Sequence, residues 1–201
     1  MNAMEYETAL ASLCGEYKLA RIARAVQTQF FTLVGTVVIP ATTTEFVAKN
    51  KFFLFFGKAK KGNVRVKIDS MSESFIQWFL LGNGKTEAPI RETTLSYVRL
   101  KKPCSDISII AGLCGRERAE TTLTEMFSLM DAQRNGEFGA LFNGGYGGRT
   151  NIFFIPDQEG VLRTVALDWG CCGWSVRATS LLSKSKWHAG TRVFSRNIPV
   201  V

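Results

Sequence analysis

Histidine is nearly absent: His188 is the only one in 201 residues. This removes most metal sites and most general-base schemes, because imidazole is the commonest metal ligand and the commonest proton carrier near neutral pH. Also missing is any CxxC pair. Cys14, Cys104, Cys114, Cys171 and Cys172 are odd in number and scattered, which fits neither a disulfide framework nor the paired ligands of a structural zinc site. Neither a metal nor an organic cofactor is expected. No apolar run approaches the roughly 20 residues of a membrane-spanning helix; "FFTLVGTVVIP" (30–40) and "FFLFF" (52–56) are too short. The N-terminus carries early glutamates and no apolar stretch ending in a small-residue cleavage site, so a cytoplasmic location is expected.

Acidic residues are missing from two long stretches. Between Phe46 and Ile68 the chain holds Lys49, Lys51, Lys58, Lys60, Lys61, Arg65 and Lys67 with no carboxylate. From Trp169 to Val201 there is again none, while Arg177, Lys184, Lys186, Arg192 and Arg196 accumulate within a net charge of +8. Such asymmetry creates a positive field that attracts polyanions, nucleic acid foremost, although it also suits a solvated face that keeps a protein soluble.

Apolar residues make up 46% and charged residues 21%, the composition of a folded chain of one domain. Residues 6–30 have an amphipathic helical pattern with Leu10, Leu13, Tyr17, Ile22 and Val26 on one side. The next run ends at Pro40 as a short buried strand or extended segment, so that 1–40 would form an N-terminal helical segment of the single domain. Residues 41–50 offer threonine caps for a short helical turn. "GNVRVKID" (62–69) alternates like a half-buried strand, and "SMSESFIQWFLLGNGK" (70–85) reads as a helix with Phe75, Trp78 and Phe79 inward. "ETTL" occurs at 92–95 and 120–123 and reads twice as a helix start, the second leading to the stripe Leu123, Met126, Phe127 and Met130. The glycines of 135–151 fit neither phosphate-loop pattern and serve turns. "NIFFIPD", "GVLRTVALDWG" and "WSVRATSLL" are strand-like runs, with "RVFSRN" as a fourth. The expected fold is α+β, with N-terminal and central helices packed on a C-terminal antiparallel meander.

The stretch most suggestive of chemistry is "DWGCCGWSVRA" (168–178). Adjacent cysteines on an extended strand point to opposite faces and do not easily share an ion, which disfavours a zinc site. A Cys–His pair using His188, oriented by Asp168, would need all three side chains within hydrogen-bond reach. The simpler reading is a reversal between two strands, in which Gly170 and Gly173 supply unusual dihedrals while Trp169 and Trp174 pack across the pair. No paired carboxylates or nucleophile constellation points to an enzyme.

"APIRETTLSYVRLKK", "SDISIIAGLCGRERAETTLTEMFSLMDAQRNGE" and the closing "GVLRTVALDWGCCGWSVRATSLLSKSKWHAGTRVFSRN", together with "EFVAKNKFF", resemble a group of small uncharacterised proteins of candidate-phyla (reduced-genome) bacteria. The likeness spans residues 45–197. It rests on Trp169, Gly173, Trp174, Trp187, Gly190 and Val193 to Asn197; such relatives hold aspartate or glycine where Cys171 and Cys172 stand. The resemblance implies a common fold and no activity.

The function expected from these features is a basic, non-catalytic module that binds nucleic acid or a ribonucleoprotein through phosphates. Lys58, Lys60, Lys61, Arg65 and Lys67 would form one surface, and Lys184, Lys186, Arg192 and Arg196 another. Trp187 and His188 would stack on bases, unless Trp187 is a core or rim aromatic. Phe194 to Asn197 either extend that surface or finish a strand. The alternative is a protein-interaction module, an adaptor or inhibitor, whose aromatic and basic surface meets an acidic partner through Phe53, Phe55 and Phe56.

Overall fold

The computed structural model describes residues 29–54, 66–143 and 150–196. Among them, nine strands form β1 (Phe31–Ile39), β2 (Phe46–Val47), β3 (Ile68–Met71), β4 (Thr86–Glu87), β5 (Thr93–Leu100), β6 (Asn151–Pro156), β7 (Leu162–Trp169), β8 (Trp174–Ser180) and β9 (Arg192–Arg196). The helices are a single turn α1 (Glu73–Phe75) that widens into a π segment over Ile76–Leu80, then α2 (Asp106–Gly112), α3 (Arg116–Ala119) and α4 (Leu123–Ala132). Seven strands make one sheet in the order β1-β5-β9-β6-β7-β8-β3, while β2 and β4 pair separately.

The fold is α+β, but the sheet is mixed. β6 runs parallel to β9 and β3 parallel to β8; the other four pairings are antiparallel. It is not confined to the C-terminal part, since β1, β3 and β5 come from the first half of the described chain. Residues 1–28, which carry the expected N-terminal helix, and Val64 and Arg65 of the expected 62–69 strand lie outside the described residues.

Why "NIFFIP" is apolar without alternation is clear from its central place. Phe153 and Ile155 point into one core, with Leu95, Val165, Leu167, Phe194, α1 and α4; Ile152 and Phe154 point into the other, with Val98, Val193, Ala166, Ile109 and Leu113. A strand covered on both faces has no polar side to display. Phe153, Phe194 and Tyr97 stack across three strand positions, with ring centroids 4.5 and 5.4 Å apart. β1, read as buried, is instead an edge strand with Leu33, Val34 and Val38 exposed. Helix 70–85 is shorter than expected: Ser70 and Met71 complete β3, and Ser72 caps the turn by accepting from Phe75 N–H at 3.1 Å.

The two "ETTL" copies have different fates. The first opens β5, correcting the helical reading; the second opens α4. The following residues decide: "SYVRL" sets aromatic Tyr97 and β-branched Val98 between β1 and β9, whereas "TEMFSLM" places good helix formers on one stripe. In the second, Thr122 Oγ1 accepts from Glu125 N–H at 3.1 Å and Glu125 Oε2 accepts from Thr122 N–H at 2.7 Å, a reciprocal capping box.

Candidate nucleic-acid interface

β5 ends and β9 begins at the same end of the sheet. There Leu100 N–H donates to Thr191 O at 2.9 Å and Gly190 N–H to Leu100 O at 2.8 Å. The connection from β8 to β9 passes over the second core, into which Leu181 and Trp187 pack. It is joined to the chain leaving β5 by two backbone bonds: Cys104 N–H donates to Trp187 O at 3.1 Å, and Trp187 N–H to Cys104 O at 2.9 Å. This clamp brings the segment with exposed Lys101 and Lys102 beside the strap that carries Trp187 and exposed Lys186, and Lys102 and Lys186 both act on Cys104. Neither segment carries a carboxylate from Arg99 through Ser105 or from Trp169 through Arg196.

Trp187 is half-buried and fixed. Its indole N–H donates to Asp106 Oδ1 at 2.7 Å, and Asp106 is 1% exposed at the first turn of α2. Burial pushes the Asp106 carboxyl above its ordinary range, partly opposed by the hydrogen bond from Trp187 and by the Thr164 hydroxyl. Burial likewise raises the Cys104 thiol, while Lys102 and Lys186 pull it back; both ammonium groups therefore reach the same sulfur with their fields. Lys102 Nζ also sits 4.2 Å from the centre of the Phe30 ring.

The other expected cations are placed differently. Arg196 binds buried Glu125, with Nη2 at 2.8 Å and Nε at 2.9 Å from Oε1. Arg192 donates to Ala140 O at 2.6 Å and Gly139 O at 3.1 Å, and lies over Tyr97 and Phe142. Both arginines hold the fold together. Lys67 precedes β3 at the opposite edge of the sheet from β1. Four strands separate β3 from β5, about 24 Å at ordinary strand spacing. Lys58, Lys60, Lys61 and Arg65 lie outside the described residues, as do Phe55 and Phe56; Phe53 is half-buried. Thus, of the expected set, Lys186 and Trp187 meet at Cys104, and Lys184 is exposed on the same strap.

Sequence reasoning missed Lys101 and Lys102, which are 82 or more positions from Lys184 and joined to it only by the clamp. It also missed Phe138. This side chain is 95% exposed in the loop that Arg192 holds at the same end of the sheet. The signal available was an aromatic among glycines, "NGEFGALFN".

Asp168 accepts from Thr150 Oγ1 at 2.6 Å and pairs with Arg177 across the β7–β8 ladder, so it orients strands. Among the described residues, no group of three His, Cys, Asp or Glu could hold a metal ion, and no helix is long and apolar enough to cross a membrane. No family model, curated protein or solved structure matches the chain.

Proposed function

We propose that this protein is a non-catalytic module that binds single-stranded nucleic acid through phosphates at the end of the sheet formed by 99–104 and 184–188. The observation that carries the reading is the backbone clamp between Cys104 and Trp187, which gathers lysines from two distant segments where neither contributes an exposed carboxylate. Ammonium groups on long stems neutralise phosphates and release condensed counterions. Phe138, exposed on the same end, supplies a ring on which a base stacks; Trp187 acts instead as the post that positions the lysine segment. The same surface suits a ribonucleoprotein whose strand is unpaired.

A gel-shift series with single-stranded RNA and with duplex DNA tests this. Binding of the single strand at 50 mM salt is expected, weakening about tenfold or more by 200 mM for a few phosphate contacts. Lys102→Glu with Lys184→Glu and Lys186→Glu abolishes it. Absence of binding by the intact chain at 50 mM salt would end the proposal.

A further inference from the structure

The thiols of Cys171 and Cys172 do not point apart. They occupy a turn, where the strand rule no longer applies, and their Sγ atoms converge to 3.3 Å. Both residues are exposed. The turn is closed by Gly170 N–H donating to Gly173 O at 2.9 Å, and the ladder below it is complete to the pair Trp169–Trp174, whose rings meet edge-on at 5.0 Å. From the side, Trp174 N–H donates to Lys67 O at 2.7 Å. The scaffold under the two sulfurs is thus held from three directions.

The separation discriminates among thiol ligands. With bonds of about 2.3 Å, two sulfurs 3.3 Å apart subtend about 92° at a shared atom. A tetrahedral zinc ion opens that pair to about 3.8 Å and demands two further ligands, which no described cluster provides. A linear two-coordinate ion spreads the sulfurs further still. A pyramidal trivalent centre, whose bond angles lie near a right angle, fits without moving the turn.

We infer that Cys171 and Cys172 form a bidentate site for a trivalent arsenical that carries one organic group and two exchangeable oxygen ligands. Capture is a condensation. Two As–S bonds form, two As–O bonds break, and each thiol proton leaves with a hydroxide as water; arsenic and sulfur keep their oxidation states. The second sulfur binds intramolecularly, so the chelate outlasts any one-thiol adduct by an effective-concentration factor of about a hundred or more. Cys104 is buried, and Cys114 lies in the separate α2–α3 connection, so neither joins the chelate.

The test uses the full chain, reduced with a phosphine, mixed with one equivalent of phenylarsine oxide and read by intact mass. One phenylarsenic adduct is expected. It survives a large excess of 2-mercaptoethanol and is removed by 2,3-dimercaptopropanol. Cys171→Ser and Cys172→Ser, each checked for folding by circular dichroism, lose the adduct in 2-mercaptoethanol. Loss of the wild-type adduct in the monothiol would overturn the inference. So would its persistence in either single variant or in the double variant, since another thiol would then be holding the arsenic.

Discussion

Trp187 holds its indole N–H on Asp106 Oδ1 at 2.7 Å, joining the basic strap to the start of α2 through a carboxyl that is 1% exposed. The bond ties a surface to the core. It also places an ionisable group where water cannot solvate its charge.

Because burial raises the folded-state pKa of Asp106, proton binding favours the native state. Its contribution is complete below the ordinary value of 3.8 and is lost as pH rises through the raised folded value. Asp106→Asn keeps an acceptor for Trp187 and removes that loss, so its stability relative to wild type should increase between pH 3.5 and pH 7. Asp106→Ala leaves the half-buried Trp187 N–H without its acceptor and should cost about 1 kcal/mol. Urea midpoints at the two pH values check both; an Asn variant that loses stability relative to wild type as pH rises contradicts the assignment.

Asp157 should show the reverse slope. Burial works to raise its pKa, but the Arg163 guanidinium and the backbone N–H groups of Val161 and Glu159 overcome this and hold it below the ordinary value. The stability it provides is present above 3.8 and is lost as pH falls through the lowered folded value. Asp157→Asn is expected to destabilise the β6–β7 hairpin at neutral pH and to converge with wild type in strong acid, measured by thermal melts across that range.

Arg196 and Lys184 separate folding from binding. Removing Arg196 takes the guanidinium from Glu125, a side chain that is 1% exposed. Because the Arg196 side chain is 35% exposed and only Glu125 is buried, Arg196→Gln should cost about 1–2 kcal/mol of stability, less than breaking a fully buried pair. Nucleic-acid affinity of the fraction that remains folded should hardly change. Lys184→Glu should do the opposite, leaving the melting temperature unmoved and reducing both affinity and the salt slope.

The two glycines of the cysteine turn should respond unequally. A Cβ on Gly173 would lie 2.6 Å from Lys67 O and 3.2 Å from Asp69 N, both backbone atoms, whereas one on Gly170 meets nothing closer than Gly173 O at 3.6 Å. Gly173→Ala is expected to push β3 from β8 and cost about 1–3 kcal/mol, with Gly170→Ala near neutral. Chemical denaturation of the two variants compares them.

This asymmetry shows where sequence logic stops. "WGCCGW" was legible as a reversal with paired tryptophans, and the 169–174 pairing is observed. Unusual dihedrals are not what Gly170 and Gly173 supply, since neither has a positive φ. Gly173 is required because β3, about a hundred residues earlier in the chain, passes against its backbone. Nothing local to the turn encodes that approach. The converging thiols follow the same logic, since alternation governs strands and not the turn between them.

Local order was carried by the chain itself. The period and capping of 122–132, the continuous apolar character of 151–156 and the strand runs at 162–169, 174–180 and 192–196 follow from spacing and residue type, which act over a few neighbours. Tertiary structure alone decided that β6 and β9 run parallel, and that Arg196 serves Glu125 while Lys102 joins Lys186. Those outcomes depend on which distant segment arrives alongside. Burial and pairing energies between such segments exceed the few tenths of a kcal/mol by which local propensities differ.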